Sequence, residues 1–72
     1  MAVNYAYHYA EIDPDTNMCV GVQTTTREMD LNEYPEMVAI PVYDPEYICK
    51  FYINGAWYED AAGTIPWESE LL

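Results

Sequence analysis

The dipeptide Asn54-Gly55, set between Lys50-Phe51-Tyr52-Ile53 and Ala56-Trp57-Tyr58-Glu59, leaves this chain little conformational choice at that point. Asn and Gly tolerate the two positive φ angles of a type I′ turn, and the flanking aromatic and β-branched residues favour strands, so the stretch is a β-hairpin. A two-residue loop also sets the register. Ile53 faces Ala56, Tyr52 faces Trp57, Phe51 faces Tyr58 and Lys50 faces Glu59. Alternation divides these residues into an apolar face of Phe51, Ile53, Ala56 and Tyr58 and an amphipathic face of Lys50, Tyr52, Trp57 and Glu59. The first face is expected to be core, with Phe51 and Tyr58 packed inside.

A second hairpin is expected upstream. Val3, Tyr5, Tyr7 and Tyr9 alternate with Asn4, Ala6, His8 and Ala10 up to Ile12, which is a strand period. Asp13-Pro14-Asp15-Thr16-Asn17 is turn chemistry, and Met18 to Thr26 resumes as a strand with Met18, Val20, Val22 and Thr24 on one face. Pairing symmetric about Asp15 sets Ile12 against Met18 and Ala10 against Val20. Gly21 then marks either a bulge or a place where the ring of Tyr9 lies over the backbone. Arg27 to Glu36 reads as an exposed acidic connection, with one helical turn near Met29 to Glu33. Met37 to Tyr43 is a linking strand that Pro41 confines to an edge or a bulge. Asp44-Pro45-Glu46-Tyr47 has Asp as cap and Pro at the first position of a short helical turn. The expected fold is therefore mainly all-β, a small antiparallel sheet of two hairpins plus a linking strand, with at most one short helical turn. Residues 1–60 form one domain, and 61–72 a C-terminal extension that is either a frayed tail or partly ordered, with Trp67 anchored in a groove of its own domain, of a sister subunit or of a partner.

With 72 residues, a chain like this buries only about 60% of its unfolded surface and needs help from association, a disulfide or docking. Its apolar residues include eight tyrosines and two tryptophans but one phenylalanine, types enriched where one side is packed and the other wet. Thirteen acids against Lys50 and Arg27 give a net charge of −11, which argues against direct contact with nucleic acid phosphates or an anionic membrane. No apolar run approaches the roughly 18 residues of a membrane span, and the N-terminus has no signal-peptide pattern. Cys19 and Cys49 could close a loop worth about 3 to 4 kcal/mol, but two buried thiols are the expectation.

Catalytic and metal chemistry find little material. His8 is the only histidine and Ser69 the only serine. Asp13, Asp15, Thr16 and Asn17 resemble half a calcium loop, but Met18 and Thr24 stand where its glycine and its final glutamate belong, so local Asx bonding explains them. No cofactor or metal site is expected, and the chain is read as a binding protein rather than an enzyme.

Taken in order, Tyr9-Ala10-Glu11-Ile12-Asp13, Met18-Cys19-Val20-Gly21-Val22-Gln23-Thr24, Met37-Val38-Ala39-Ile40-Pro41-Val42-Tyr43-Asp44, Lys50-Phe51-Tyr52 and Asn54-Gly55-Ala56-Trp57 resemble a small module recurrent in tailed bacteriophages and prophages of Gram-positive bacteria. The resemblance runs from about Tyr7 to Asp60. Such modules stand alone or end a longer tail-fibre or baseplate protein. The resemblance implies a tail or tail-fibre accessory or assembly protein, located in the virion or the host cytoplasm. Its partners would be proteins, either further copies in a homo-oligomer or a phage tail protein. This chain departs from the module by having Cys49 where a glycine commonly precedes the lysine, and by the extension through Ile65-Pro66-Trp67. Trp57, Tyr52 and Trp67 are the first candidate contact residues, followed by Tyr5, Tyr7 and Tyr9. The alternative is a counter-defence inhibitor whose acidic surface, carried by Glu28, Asp30, Glu33 and Glu36, blocks a basic site on a host immune protein or nuclease.

Overall fold

The structure, a computed structural model, describes residues 7–72. It is mainly β, with strands β1 (Tyr7–Ile12), β2 (Cys19–Thr25), β3 (Met37–Ile40), β4 (Phe51–Ile53) and β5 (Ala56–Tyr58), and a 3₁₀ turn at Pro45–Tyr47. A three-stranded antiparallel sheet has the order β2-β1-β3, and β4 and β5 form a separate hairpin. The part of the first strand expected from Val3 to Ala6, Tyr5 included, lies outside the described residues.

The second hairpin follows its local chemistry. Asn54 and Gly55 have φ of 51° and 83°, and Phe51, Tyr52 and Ile53 pair with Tyr58, Trp57 and Ala56. Lys50 Nζ reaches Glu59 Oε1 at 3.5 Å.

The first hairpin departs from the symmetric register. Its turn forms as expected: Asp13 Oδ1 accepts the Asp15 N–H at 2.9 Å, and the Asn17 N–H donates to the Asp13 carbonyl at 2.8 Å. Asn17 adopts φ 63°, a left-handed conformation Asn tolerates, so Ile12 meets Cys19 rather than Met18. Val20 is then an extra residue, because the next pair is Glu11 with Gly21. From there Ala10 faces Val22 and Tyr9 faces Gln23. Gly21 therefore marks a bulge, and no Tyr9 ring lies over it. An inserted residue reverses side-chain parity. Cys19 before the bulge and Val22 after it consequently share the core face, while Val20 is left 47% exposed.

β1 is the central strand; one of its faces is core, and the other is covered at Tyr9 while Tyr7 and Glu11 are exposed. Ala10 and Ile12 pack with Cys19, Ile40 and Tyr47 in the core. On the opposite face Tyr9 is buried and its hydroxyl accepts the Met29 N–H at 2.9 Å. The acidic connection is thus tethered across that face. Its turn is closed by the Glu33 and Tyr34 N–H groups donating to the Asp30 carbonyl, the bonds of a single helical turn that is not continued. β3 stops at Ile40, directly before Pro41, on the sheet edge.

The β4–β5 hairpin hangs from the start of β2. Cys19 N–H donates to the Lys50 carbonyl at 2.8 Å, Cys49 N–H to the Cys19 carbonyl at 2.9 Å, and Tyr52 N–H to the Asn17 carbonyl at 2.9 Å. The expected core face is reversed by this attachment. Tyr52 and Trp57 pack against the core, whereas Phe51, Ile53 and Tyr58 are half-buried on the other side. Both faces are apolar enough to bury, so local pattern could not choose between them. The choice follows from Tyr47 and Trp67, which supply aromatic surface to one side only.

Candidate functional site

The aromatic cluster is assembled from four separate pieces of sequence. Asp44 caps the 3₁₀ turn, its Oδ1 accepting the Glu46 N–H at 2.9 Å, and this delivers Tyr47 into the core at 2% exposure. Trp57 and Trp67 meet Tyr47 edge-on at centroid distances of 4.7 and 4.9 Å, and Tyr52 lies 5.0 Å from Trp57. Such edge-to-face contacts contribute about 0.5–1.5 kcal/mol each beyond area burial. Lys50 Nζ sits 5.2 Å from the Trp67 centroid, so its ammonium covers the cluster's outer side. Burial first, then the negative charges of Asp44 and Glu68, push the Tyr47 phenol above its ordinary pKa.

The extension 61–72 completes the cluster from within the same chain. Glu59 N–H donates to the Ile65 carbonyl at 2.8 Å and Trp67 N–H to the Trp57 carbonyl at 3.0 Å, so 65–67 runs beside β5 like a further strand. Ser69 is buried, and its hydroxyl donates to Asp44 Oδ2 while accepting the Leu71 N–H. Trp67 is thus seated in a groove of its own chain. Between it and the 3₁₀ turn lies a hollow of about 250 Å³ lined by Asp44, Glu46, Trp67, Glu70 and Leu71.

No family model, curated protein or solved structure matches the chain.

The candidate contact residues therefore divide. Tyr52, Trp57 and Trp67 are brought together, but by one another and by Tyr47, which the sequence reading did not single out. Its signal was the Asp-Pro-Glu cap, which turns the third residue of the turn inward. Tyr9 is buried beneath the connection, Tyr7 is exposed, and Tyr5 lies outside the described residues.

The acidic residues are better presented. Glu28, Asp30 and Glu33 are exposed and Glu36 is half-buried. Between them stand Leu31 and Tyr34, 39% and 44% exposed. The turn that carries them is fixed by Asp30, whose carboxylate accepts the Asn32 N–H at 3.0 Å. This exposed segment of two large apolar side chains interspersed in sequence with carboxylates was not anticipated as a contact surface, because the connection lacks any period.

Histidine and thiol chemistry are kept apart. His8 Nδ1 lies 3.0 Å from Thr24 Oγ1, whereas Cys19 is at the other end of the sheet, opposite Ile12. Cys19 is buried and its Sγ–H donates to the Gly21 carbonyl at 3.2 Å. Burial pushes its thiol pKa up, which disfavours the reactive thiolate. Cys49 is exposed and also free, which corrects the expectation of two buried thiols. Among the described residues no group of three His, Cys, Asp or Glu side chains could hold a metal ion, and no helix is long and apolar enough to cross a membrane.

Proposed function

We propose that this chain is a non-enzymatic protein-binding module, an accessory or assembly part of a bacteriophage tail or tail fibre, and that it meets its partner through the 26–36 connection. The phage assignment rests on the sequence resemblance. The binding assignment is supported by one observation above the others: Leu31 and Tyr34 are held exposed on a hydrogen-bonded turn that also carries the exposed Glu28, Asp30 and Glu33. Apolar anchors inside a charged rim are the ordinary anatomy of a protein interface. Tyr52, Trp57 and Trp67 pack on the opposite side of the molecule, where they hold the β4–β5 hairpin against the core.

The carboxylates of the same patch favour a second reading, the counter-defence inhibitor that covers a basic host site. The two readings differ in which term dominates binding. Purified tail-fibre and baseplate proteins of the same phage, and basic host nucleases, are titrated with the chain and with two variants. One is Leu31→Ser with Tyr34→Ala; the other is Glu28→Lys with Glu33→Lys, which spares the structural carboxylate of Asp30. A tail accessory loses at least tenfold affinity with the first variant and is little affected by moderate salt. An inhibitor loses its affinity with the second and weakens steeply with salt. Binding that neither pair changes refutes the assignment of this patch.

A further inference from the structure

β2 has one edge on β1 and a second edge that is only half used. Backbone N–H and C=O groups alternate in direction along an antiparallel strand. Ile12 N–H donates to Glu36 on the β3 side, and Asp13 N–H donates to Met18 on the β2 side. Odd-numbered β1 residues therefore bond to β2, and the registers make their partners Gly21, Gln23 and Thr25. The N–H and C=O of Val22 and Thr24 point the opposite way. Cys19, at the start of the same edge, spends its outward pair on Lys50 and Cys49, but among the described residues no backbone group meets Val22 or Thr24 there.

The other outer edge is protected. β3 has four residues, Met37 N–H already donates to the Tyr34 carbonyl, and Pro41 offers no donor. Short strands, prolines and bulges are how sheets avoid further pairing; β2 is seven residues long and has no proline, and its bulge at Val20 lies before the stretch from Val22 to Thr24. From Met18 to Thr26 it also carries no charge, in a molecule of net charge −11. Beside it opens a shallow groove of about 520 Å³ lined by His8, Val22, Gln23, Thr24 and Tyr43, with no carboxylate among them.

We propose that a second copy of this chain pairs antiparallel along this edge, about a two-fold axis passing beside Gln23. Val22 then lies opposite Thr24 of the second copy, and the symmetric pair repeats the contact. Each pair exchanges both of its N–H···O bonds, so every outward group of Val22 and Thr24 finds a partner. Two three-stranded sheets become one continuous sheet with protected β3 strands at both ends. The ladder fits the available space. Cys49 and Lys50 block its extension past Cys19, and β2 ends at Thr25.

The occupant follows from charge and symmetry. A basic segment would find no carboxylate in the groove to pair with, whereas an uncharged edge matches itself, and isologous two-fold contacts are the commonest in homo-oligomers. Two molecules of the same strong charge repel one another everywhere except along such a stretch. Salt should therefore strengthen the dimer by screening, opposite to its effect on a complex with a basic partner. The contact is small, so it belongs with weak associations that depend on concentration. This inference uses the β2 edge and not the 26–36 surface proposed above, although the two adjoin where Gln23 Nε2 donates to Met29 Sδ at 3.3 Å; the Thr24→Pro variant does not touch that bond.

The axis makes the test specific, because Gln23 faces its own copy. Sedimentation equilibrium of the full chain is expected to show a monomer–dimer equilibrium that shifts to dimer as salt rises. Gln23→Glu and Gln23→Lys each set two like charges directly opposite one another and should weaken the dimer at least tenfold. Their equimolar mixture should recover a heterodimer within a few-fold of the parent. Thr24→Pro removes an outward donor while leaving the ladder to β1 intact, and should abolish pairing with the circular dichroism unchanged. The inference is overturned by a parent that stays monomeric at millimolar concentration, by variants that dimerise like the parent, or by a mixture that fails to recover.

Discussion

Replacing Trp67 by Ala tests whether the extension is part of the folded body. Trp67 reaches Tyr47 edge-on at 4.9 Å, lies under Lys50 Nζ at 5.2 Å, and has its N–H bonded to the Trp57 carbonyl at 3.0 Å. The backbone bond survives substitution in principle, so the loss is in the side chain. Removing a half-buried indole gives up on the order of 100 Å² of buried apolar area, or about 2.5 kcal/mol at ~25 cal/mol/Å². The edge-to-face contact adds about 0.5–1.5 kcal/mol, and residual burial in the unfolded chain takes part of the sum away. The expected loss is about 2–3 kcal/mol. For a domain of this length that is a large share of a total on the order of 4–10 kcal/mol. Urea denaturation followed by far-ultraviolet circular dichroism reads it directly as a lower midpoint at unchanged slope. Trp67→Phe, which keeps a ring against Tyr47, should lose less than half as much. A Trp67→Ala midpoint within about 0.5 kcal/mol of the parent would refute the reasoning, since only an undocked extension gives that result.

Two further outcomes follow from the backbone and from a carboxylate. Cys49 has φ 76°, where a side chain is strained and glycine is not, so Cys49→Gly should be more stable than Cys49→Ala by about 1 kcal/mol in the same denaturation assay. The Asp60 carboxyl is held below its ordinary pKa by the Thr64 hydroxyl first and by the Ile65 N–H next. Because the folded value is the lower one, its contribution is complete above the unfolded value and is lost as pH falls through the folded value. The protection of the Thr64 and Ile65 amides relative to their intrinsic exchange rates should accordingly fall as the pH drops below the ordinary Asp value of about 4 and through the lower folded value, and Asp60→Asn should remove that change in protection.

What could be read in advance tracks the range over which each interaction acts. Asn54-Gly55 specifies its hairpin because φ preference at two adjacent residues decides loop and register together, and every expected pair from Phe51 to Tyr58 is present. Asp13 and Asp44 were legible for the same reason: each bonds an N–H two residues on. The first hairpin failed by one residue at its turn and one more at Val20. Each slip costs little locally, yet together they decide that Cys19 rather than Val20 is buried. The candidate site was less legible than the fold. Trp57, Tyr52 and Trp67 were expected to contact a partner; in the structure they meet one another and Tyr47, and nothing local shows whether aromatic rings close on one another or face outward.

The amino-acid order by itself determined that the chain is a small β domain, where its turns fall, and that its surface is strongly acidic. All of these depend on backbone preference, side-chain period or charge over a few neighbouring residues. Only the tertiary structure decided which hairpin face is core, that residues 61–72 pack on the body, and that among the described residues no backbone group meets the outward edge of Val22 and Thr24. Those outcomes depend on which distant segments compete for the same surface. Tyr47, Trp57 and Trp67 bury more area together than any of them could with its own sequence neighbours, and that gain exists only once the chain has folded.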